Sequence, residues 1–431
     1  MKALSWSLRA NGSYAYWIKK NWYYHAYCAA VYRFLIPAGM RVLQVECKTG
    51  YLLDAVRPSY GVGVDTDLAA VALAQKSYPK HHFFCHSISE LFSQQFDYII
   101  LSAATMESDD IQTLFESLHR FCHSQTRIVI DYYSVLWEPL LWVAQYFGLR
   151  RPVQFKNWLS FNDLANLLRL AGLEPVTRRS HVLLPFYIPF VSAFLNSFIS
   201  QIPFINLLTL NSWIVARLQS KERGAQNSYS VSVIVPCKNE RGNIAAAVAR
   251  CPDMGSSTEI IFVEGGSSDG TLDELKRVGE EYKDDPKKRV SFCVQTGIGK
   301  GDAVRCGFER AHGDVLMILD ADLTVLPEEL PKFYQALVSG NADFINGSRL
   351  VYGMESGSMR FLNICANYFF GLIFSWLLGQ PIKDTLCGTK VLFKADYKKI
   401  AEQRGFFGRL DPFGDFDLLF GAAKQNLKII E

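Results

Sequence analysis

A chain of 431 residues is long enough to bury two or three separate cores, which excludes a single domain as the starting expectation. Its 45 basic and 42 acidic residues leave a net charge of +3, too close to balance for a protein built around a nucleic-acid backbone. The ten cysteines form no C-x-x-C pair and follow no secretory signal, so they read as reduced thiols in a cytosolic protein. High aromatic content and a slightly positive mean hydropathy point to contact with a membrane surface, at its inner face given the cytosolic reading.

In chain order, Arg41 to Val45 reads as an apolar strand, Tyr51 to Val56 has helical spacing, Gly61 to Val64 is a second strand ending in Asp65, and Phe96 to Leu101 is a later one. This alternation predicts a mostly parallel sheet with ligands at the carboxyl ends of its strands. Val182 to Ala216 carries no charge, but Pro185, Pro189 and Pro203 interrupt it. It therefore falls short of the roughly 20 apolar residues of a spanning helix and reads as an interfacial or core segment. Polar residues from Arg217 onward mark a joint, giving residues 1–216 as one domain, 217–229 as linker and 230–431 as a second domain.

In the second half, Val231 to Pro236 is a strand followed by Cys237-Lys238-Asn239-Glu240 and a helical run from Asn243 to Arg250. Glu259 to Val263 is the next strand, closed by a turn-rich loop from Glu264 to Thr271; Val290 to Gln295 and Val315 to Leu319 follow. The last runs into Asp320-Ala321-Asp322, two carboxylates at a strand end that can hold Mg²⁺ or Mn²⁺ against a diphosphate. Gly299-Lys300-Gly301-Asp302 lies just upstream. Phe361 to Ile382 is again uncharged, but Asn363, Asn367 and Gln380 suit a helix lying on a bilayer or buried in a core better than a spanning one. Lys428 to Glu431 reads as the start of a further strand, expected to continue into a basic segment in a longer chain.

Two resemblances follow from these motifs. Residues from about Tyr23 to Leu218 resemble the class I S-adenosylmethionine-dependent methyltransferases: Gln44-Val45-Glu46-Cys47-Lys48-Thr49-Gly50 stands where that family has its acidic-x-Gly-x-Gly-x-Gly cofactor loop, and Asp65 where an acid binds the ribose. Glu46 and Lys48 replace two glycines whose lack of a side chain lets the backbone approach the cofactor, and Gln44 replaces the carboxylate, so this domain reads as degenerate and S-adenosylmethionine as obstructed. Residues from about Ser230 to the last resemble the family 2 glycosyltransferases with a GT-A fold, more narrowly the dolichol-phosphate mannosyltransferase and polyprenyl-phosphate sugar transferase branch.

That second resemblance implies roles. Pro236, Glu240, Glu264 and Asp269 would line the nucleoside pocket, with Glu264-Gly265 standing where the family commonly has Asp-Asp. Lys300 would lie beside the diphosphate, Asp320 and Asp322 at the metal, and Arg349 and Lys390 near phosphates. The donor would be a UDP- or GDP-sugar, and the acceptor a polyprenyl phosphate or another lipid or glycan. A phosphate acceptor is already an anion, whereas a hydroxyl acceptor would need a base, for which Asp384 is the candidate. Inverting transfer by a peripheral membrane enzyme is the expectation. A bifunctional methyltransferase and glycosyltransferase and a non-catalytic membrane scaffold are the competing readings.

Overall fold

The computed structural model describes residues 14–91, 93–153, 156–202, 204–219, 229–283, 285, 288–348, 361–385, 387–403 and 415–431, without the side chains of 89, 361–368 and 415. The chain divides into two compact units, residues 1–219 and 220–431. Each is built around its own seven-stranded sheet with helices on both faces.

In the first unit, β1 (Arg41–Val45), β2 (Tyr60–Asp65), β3 (His82–Cys85), β4 (Phe96–Ser102) and β5 (Cys122–Tyr133) run parallel. They are followed by β6 (Leu173–His181) and β7 (Asn211–Leu218), and the order across the sheet is β3-β2-β1-β4-β5-β7-β6. β7 is antiparallel to both neighbours. Alternation divides the apolar residues between two layers: Leu43, Ile99, Ile128 and Ile214 enter one core, Val42, Ile100, Val129 and Trp213 the other. Because β2 and β4 both flank β1, the loop after β1 opens into the crevice where the chain changes direction across the sheet. Pro175 is tolerated because β6 is an edge strand, and the register slips beside it.

The joint begins later than polarity suggested. Arg217 and Leu218 are the last residues of β7, and Arg217 is buried with its guanidinium on Glu174 at 2.6 Å. A paired guanidinium can occupy a core-facing strand position that composition alone assigns to solvent. Residues 220–228 of the expected linker lie outside the described residues.

In the second unit, β8 (Val231–Cys237), β9 (Thr258–Glu264), β10 (Lys288–Val294) and β11 (Val315–Ile318) are parallel. β12 (Phe344–Asn346), β13 (Lys390–Phe393) and β14 (Ile429–Ile430) complete the order β10-β9-β8-β11-β13-β12-β14. β13 runs against both β11 and β12. Helix Lys300–Arg310 lies on β8 and β9 through Gly307, where a Cβ would sit 2.5 Å from Ile234. That close approach carries Lys300, the helix's first residue, to the sheet edge where β11 ends.

Candidate functional site

The carboxyl ends of β8, β9 and β11 converge on one edge of the second sheet. After β8 the chain turns through Asn239, a non-glycine residue at φ +58°, a conformation that asparagine tolerates well. Asn239 accepts from the Ser268 N–H at 2.9 Å and donates its own N–H to the Ser267 hydroxyl at 2.9 Å. The Glu240 N–H donates to the Thr271 hydroxyl at 3.0 Å, and the Arg241 N–H to Asp269 at 3.2 Å. The two loops are thereby locked into one surface.

Within it, Glu264 is buried and accepts from the Ser267 N–H at 2.5 Å. Burial opposes its charge, but the Ser267 and Gly266 donors outweigh that and hold its carboxyl below the usual range. Asp269 is exposed and accepts from the Thr271 hydroxyl at 2.5 Å, which with neighbouring N–H donors lowers its pKa. Glu240 is half-buried and accepts from Asn243 at 2.7 Å, while Pro236 pairs with Val263 in the β8–β9 ladder. These four sequence-predicted residues lie on or beside the same two loops.

The Lys300 ammonium stands 2.5 Å from Asp320, two residues beyond β11. Asp322 is exposed on the following turn, where its Oδ1 accepts from the Thr324 N–H at 3.0 Å and hydroxyl at 2.7 Å. Leu323 closes this turn at φ +54°, its N–H on the Asp320 carbonyl. Gly388, from the neighbouring 384–390 segment, completes the cluster: a Cβ there would overlap both the Lys300 Nζ and the Asp320 carboxylate. Gly347 is similarly tight, since its Cβ would meet Cys387 at 2.8 Å.

Among the described residues no group of three or more His, Cys, Asp or Glu could hold a metal ion by itself. Two carboxylates on one turn nevertheless fit Mg²⁺ or Mn²⁺, ions that take one or two carboxylates and complete their shell with phosphate oxygens and water. Asp320 and Asp322 are the residues that would hold it.

Two placements differ from the sequence reading. Asp384 is fully buried and accepts from the Cys387 N–H at 3.1 Å, with its own N–H and carbonyl bonded to Glu431 and Asn346. A carboxylate so enclosed fastens the loop under Gly388. Lys390 is also fully buried, its ammonium donating to the Cys387 carbonyl. Its charge therefore supports the loop from within. Arg349 lies outside the described residues.

In the first unit, the loop after β1 keeps left-handed backbone where glycines are missing: Glu46 at φ +54°, Lys48 at φ +50° and Gly50 at φ +74°. The Lys48 ammonium projects among carboxylates, 2.9 Å from Glu107, 3.0 Å from Glu46 and 4.0 Å from Asp65. Burial works against that charge, but Glu107, Asp65 and Glu46 together raise the Lys48 pKa well above its ordinary value. Asp65 is buried, with its carboxylate on the Lys48 N–H at 2.7 Å and the Asp67 N–H at 2.9 Å. Glu46, Lys48 and Glu107 form the wall between two cavities of about 90 and 410 Å³.

Two family models match the chain, a methyltransferase domain over residues 19–178 and glycosyl transferase family 2 over residues 232–400. The second unit is a family 2 glycosyltransferase domain. Its relatives include an undecaprenyl-phosphate 4-deoxy-4-formamido-L-arabinose transferase from Aeromonas hydrophila, 32% identical over 26% of this chain and 34% of that protein. A dolichol-phosphate mannosyltransferase from Pyrococcus furiosus is 36% identical over 28% of this chain and 34% of that protein. The chain thus spans about a third of the length of these curated relatives. A solved methyltransferase, in complex with the Trm112 activator of Haloferax volcanii, is 16% identical with a TM-score of 0.37, covering 50% of this chain and 96% of that one.

The methyltransferase model covers most of the first unit, and its β1 loop carries the side chains of Glu46 and Lys48 at left-handed positions. The cation already in the loop is Lys48, and Asp65 is turned toward backbone N–H groups. In the glycosyltransferase domain, helix Phe361–Leu378 precedes the Asp384 loop and exposes Phe369, Phe370, Leu372, Trp376 and Leu377, while Leu378, Gln380 and Ile382 are buried. Among the described residues no helix is long and apolar enough to cross a membrane. Sequence reasoning missed Gly388, a residue without chemistry of its own whose signal is only its place in Cys387-Gly388-Thr389.

Proposed function

We propose that the glycosyltransferase domain moves a sugar from a nucleotide-diphospho-sugar to a polyprenyl phosphate with inversion at the anomeric carbon. The observation that carries this reading is the cluster of Lys300, Asp320 and Asp322 at the end of β11, closed by Gly388. In the displacement, an acceptor phosphate oxygen forms the new bond to the anomeric carbon. The bond to the diphosphate breaks, and the nucleoside diphosphate leaves with the electron pair. A divalent cation held by Asp320 and Asp322 would supply charge neutralisation for that leaving group. Lys300 adds a second positive charge at the same place, and the locked 237–241 and 264–271 loops hold the nucleoside still.

A phosphate acceptor needs no base, which agrees with the burial of Asp384. The exposed apolar side chains from Phe369 to Leu377 suit a lipid-linked acceptor, and the relatives' names point the same way. The deciding measurement is nucleoside diphosphate release from UDP- and GDP-sugars with Mn²⁺ or Mg²⁺ and a short polyprenyl phosphate. Turnover should require both lipid and cation and fall at least ~100-fold in Asp322→Ala, equivalent to about 2.7 kcal/mol of barrier. Turnover unaffected by chelation, or equal in parent and variant, would overturn the cation-dependent mechanism.

A further inference from the structure

Residues 182–209 of the first unit are folded inside out. Helix Val191–Ser197 and the turn after it bury Ser192, Asn196 and Ser200, spaced by four, while Val191, Phe194 and Phe198 face outward. A helix packed on a protein core and bathed in water shows the reverse pattern. The buried polar groups are the internal fastening: Asn196 accepts from the Leu183 and Leu184 N–H groups, and Ser192 bridges the Ile188 N–H and the Phe186 carbonyl. Outside, Phe186, Tyr187, Ile188, Leu207 and Leu208 extend the apolar surface.

Phe190 and Phe204, 92% and 83% exposed, each follow an Ile-Pro pair in the sequence. Both adopt φ values, +61° and +71°, that bulky side chains resist. At these exposures neither ring is packed into a core of the described residues.

Two further segments join this face. Helix Glu138–Tyr146 has no buried residue, and Leu140, Trp142, Val143, Tyr146 and Phe147 are exposed. Trp137 just before it donates its indole N–H to the Leu208 carbonyl at 2.8 Å. Exposed Trp22 packs on Tyr187 with ring centroids 5.3 Å apart. The charges are mostly basic. Residues 14–35, 132–153 and 182–216 contain Lys19, Lys20, Arg33, Arg150 and Arg151 against the single acid Glu138. Lys20 bonds the Gly148 carbonyl at 2.7 Å, just past helix Glu138–Tyr146, and Arg151 lies over the Tyr14 ring, so these two cations stand beside the segment that follows this helix.

We propose that this face of the methyltransferase-like domain docks on an anionic phospholipid surface. Aromatic and aliphatic side chains on an outward face, buried polar fastenings and an excess of basic residues are the features of a segment seated at the headgroup boundary. The inference rests on the first unit alone and does not depend on the sugar-transfer reading.

The test is co-sedimentation of the full chain with vesicles of phosphatidylcholine, with and without phosphatidylglycerol. The variants are Phe190→Gly/Phe204→Gly, which relieves the backbone at both sites, and Trp142→Ser. The parent should bind the vesicles that contain phosphatidylglycerol and bind the neutral ones less. Each variant should bind at least ~10-fold more weakly, because affinity scales with buried apolar area, and should keep the parent's thermal unfolding. Asp322→Ala should bind vesicles like the parent, which separates failure of docking from failure of transfer. Vesicle binding equal in parent and variants, or no binding by the parent, would sink the proposal. So would a parent dimer that these substitutions dissociate, since the occupant would then be a second copy, or variants that destabilise the glycosyltransferase domain, since it would then be that domain.

Discussion

Gly388 has no functional group, yet it lies where any side chain would meet a charged pair. A methyl group at this position would fall on the Lys300 Nζ and the Asp320 carboxylate together, so Gly388→Ala is expected to shift both side-chain ends from the positions that the proposed transfer assigns to them. Such misplacement costs rate through lost alignment more than through lost stability. Transfer is expected to fall at least ~100-fold, with affinity for nucleoside diphosphate reduced and the melting temperature little changed. Unaltered kinetics in a purified variant would show that Lys300 and Asp320 can separate without consequence. The meeting of Lys300 with the Asp-x-Asp turn was legible in the sequence because the acidic pair follows an apolar strand and a Gly-Lys-Gly loop precedes it. Asp384 as a base for a hydroxyl acceptor and Lys390 as a phosphate contact are the expectations of the sequence, which does not show that both side chains are fully buried. Burial of a charged side chain depends on partners distant in sequence, here Glu431 and Asn346 for the Asp384 backbone.

The β1 loop of the first unit poses the same question for a whole element. Its strands were readable from apolar runs at the expected spacing, and the loss of two glycines was visible too. What could not be read was that the backbone keeps the glycine conformation, with Glu46 and Lys48 at positive φ. Such conformations cost on the order of 1–3 kcal/mol each, offset here by the ion pairs of Lys48 with Glu46 and Glu107. The parent should therefore show no thermal shift with S-adenosylhomocysteine. Glu46→Gly/Lys48→Gly removes the strain and the obstructing ammonium together, and should bind that ligand at least ~10-fold more tightly than the parent, a difference of about 1.4 kcal/mol. Lys48→Ala alone leaves Glu46, Glu107 and Asp65 facing one another and should be less stable than the double variant. Stoichiometric binding of the cofactor product by the parent would refute the assignment of Lys48 as the obstruction.

For the molecule as a whole, two sheets with separate apolar cores imply two cooperative units, and a chain of this kind has no single free energy of unfolding. Calorimetry should resolve two transitions that respond to different perturbations. Nucleoside diphosphate with Mn²⁺ at about 100 times its dissociation constant stabilises the domain that binds it by roughly 2.7 kcal/mol, and should raise one transition alone by several degrees. Leu43 is fully buried in β1, so Leu43→Ala should cost about 2–5 kcal/mol and lower only the other transition. Sugar transfer measured below both transitions should survive that substitution, because every residue assigned to the proposed chemistry lies in the second unit. A single transition that moves with both perturbations would mean that the domains fold as one unit. The methyltransferase-like domain would then act on the transfer site through shared stability, and its retained fold would be part of the catalyst.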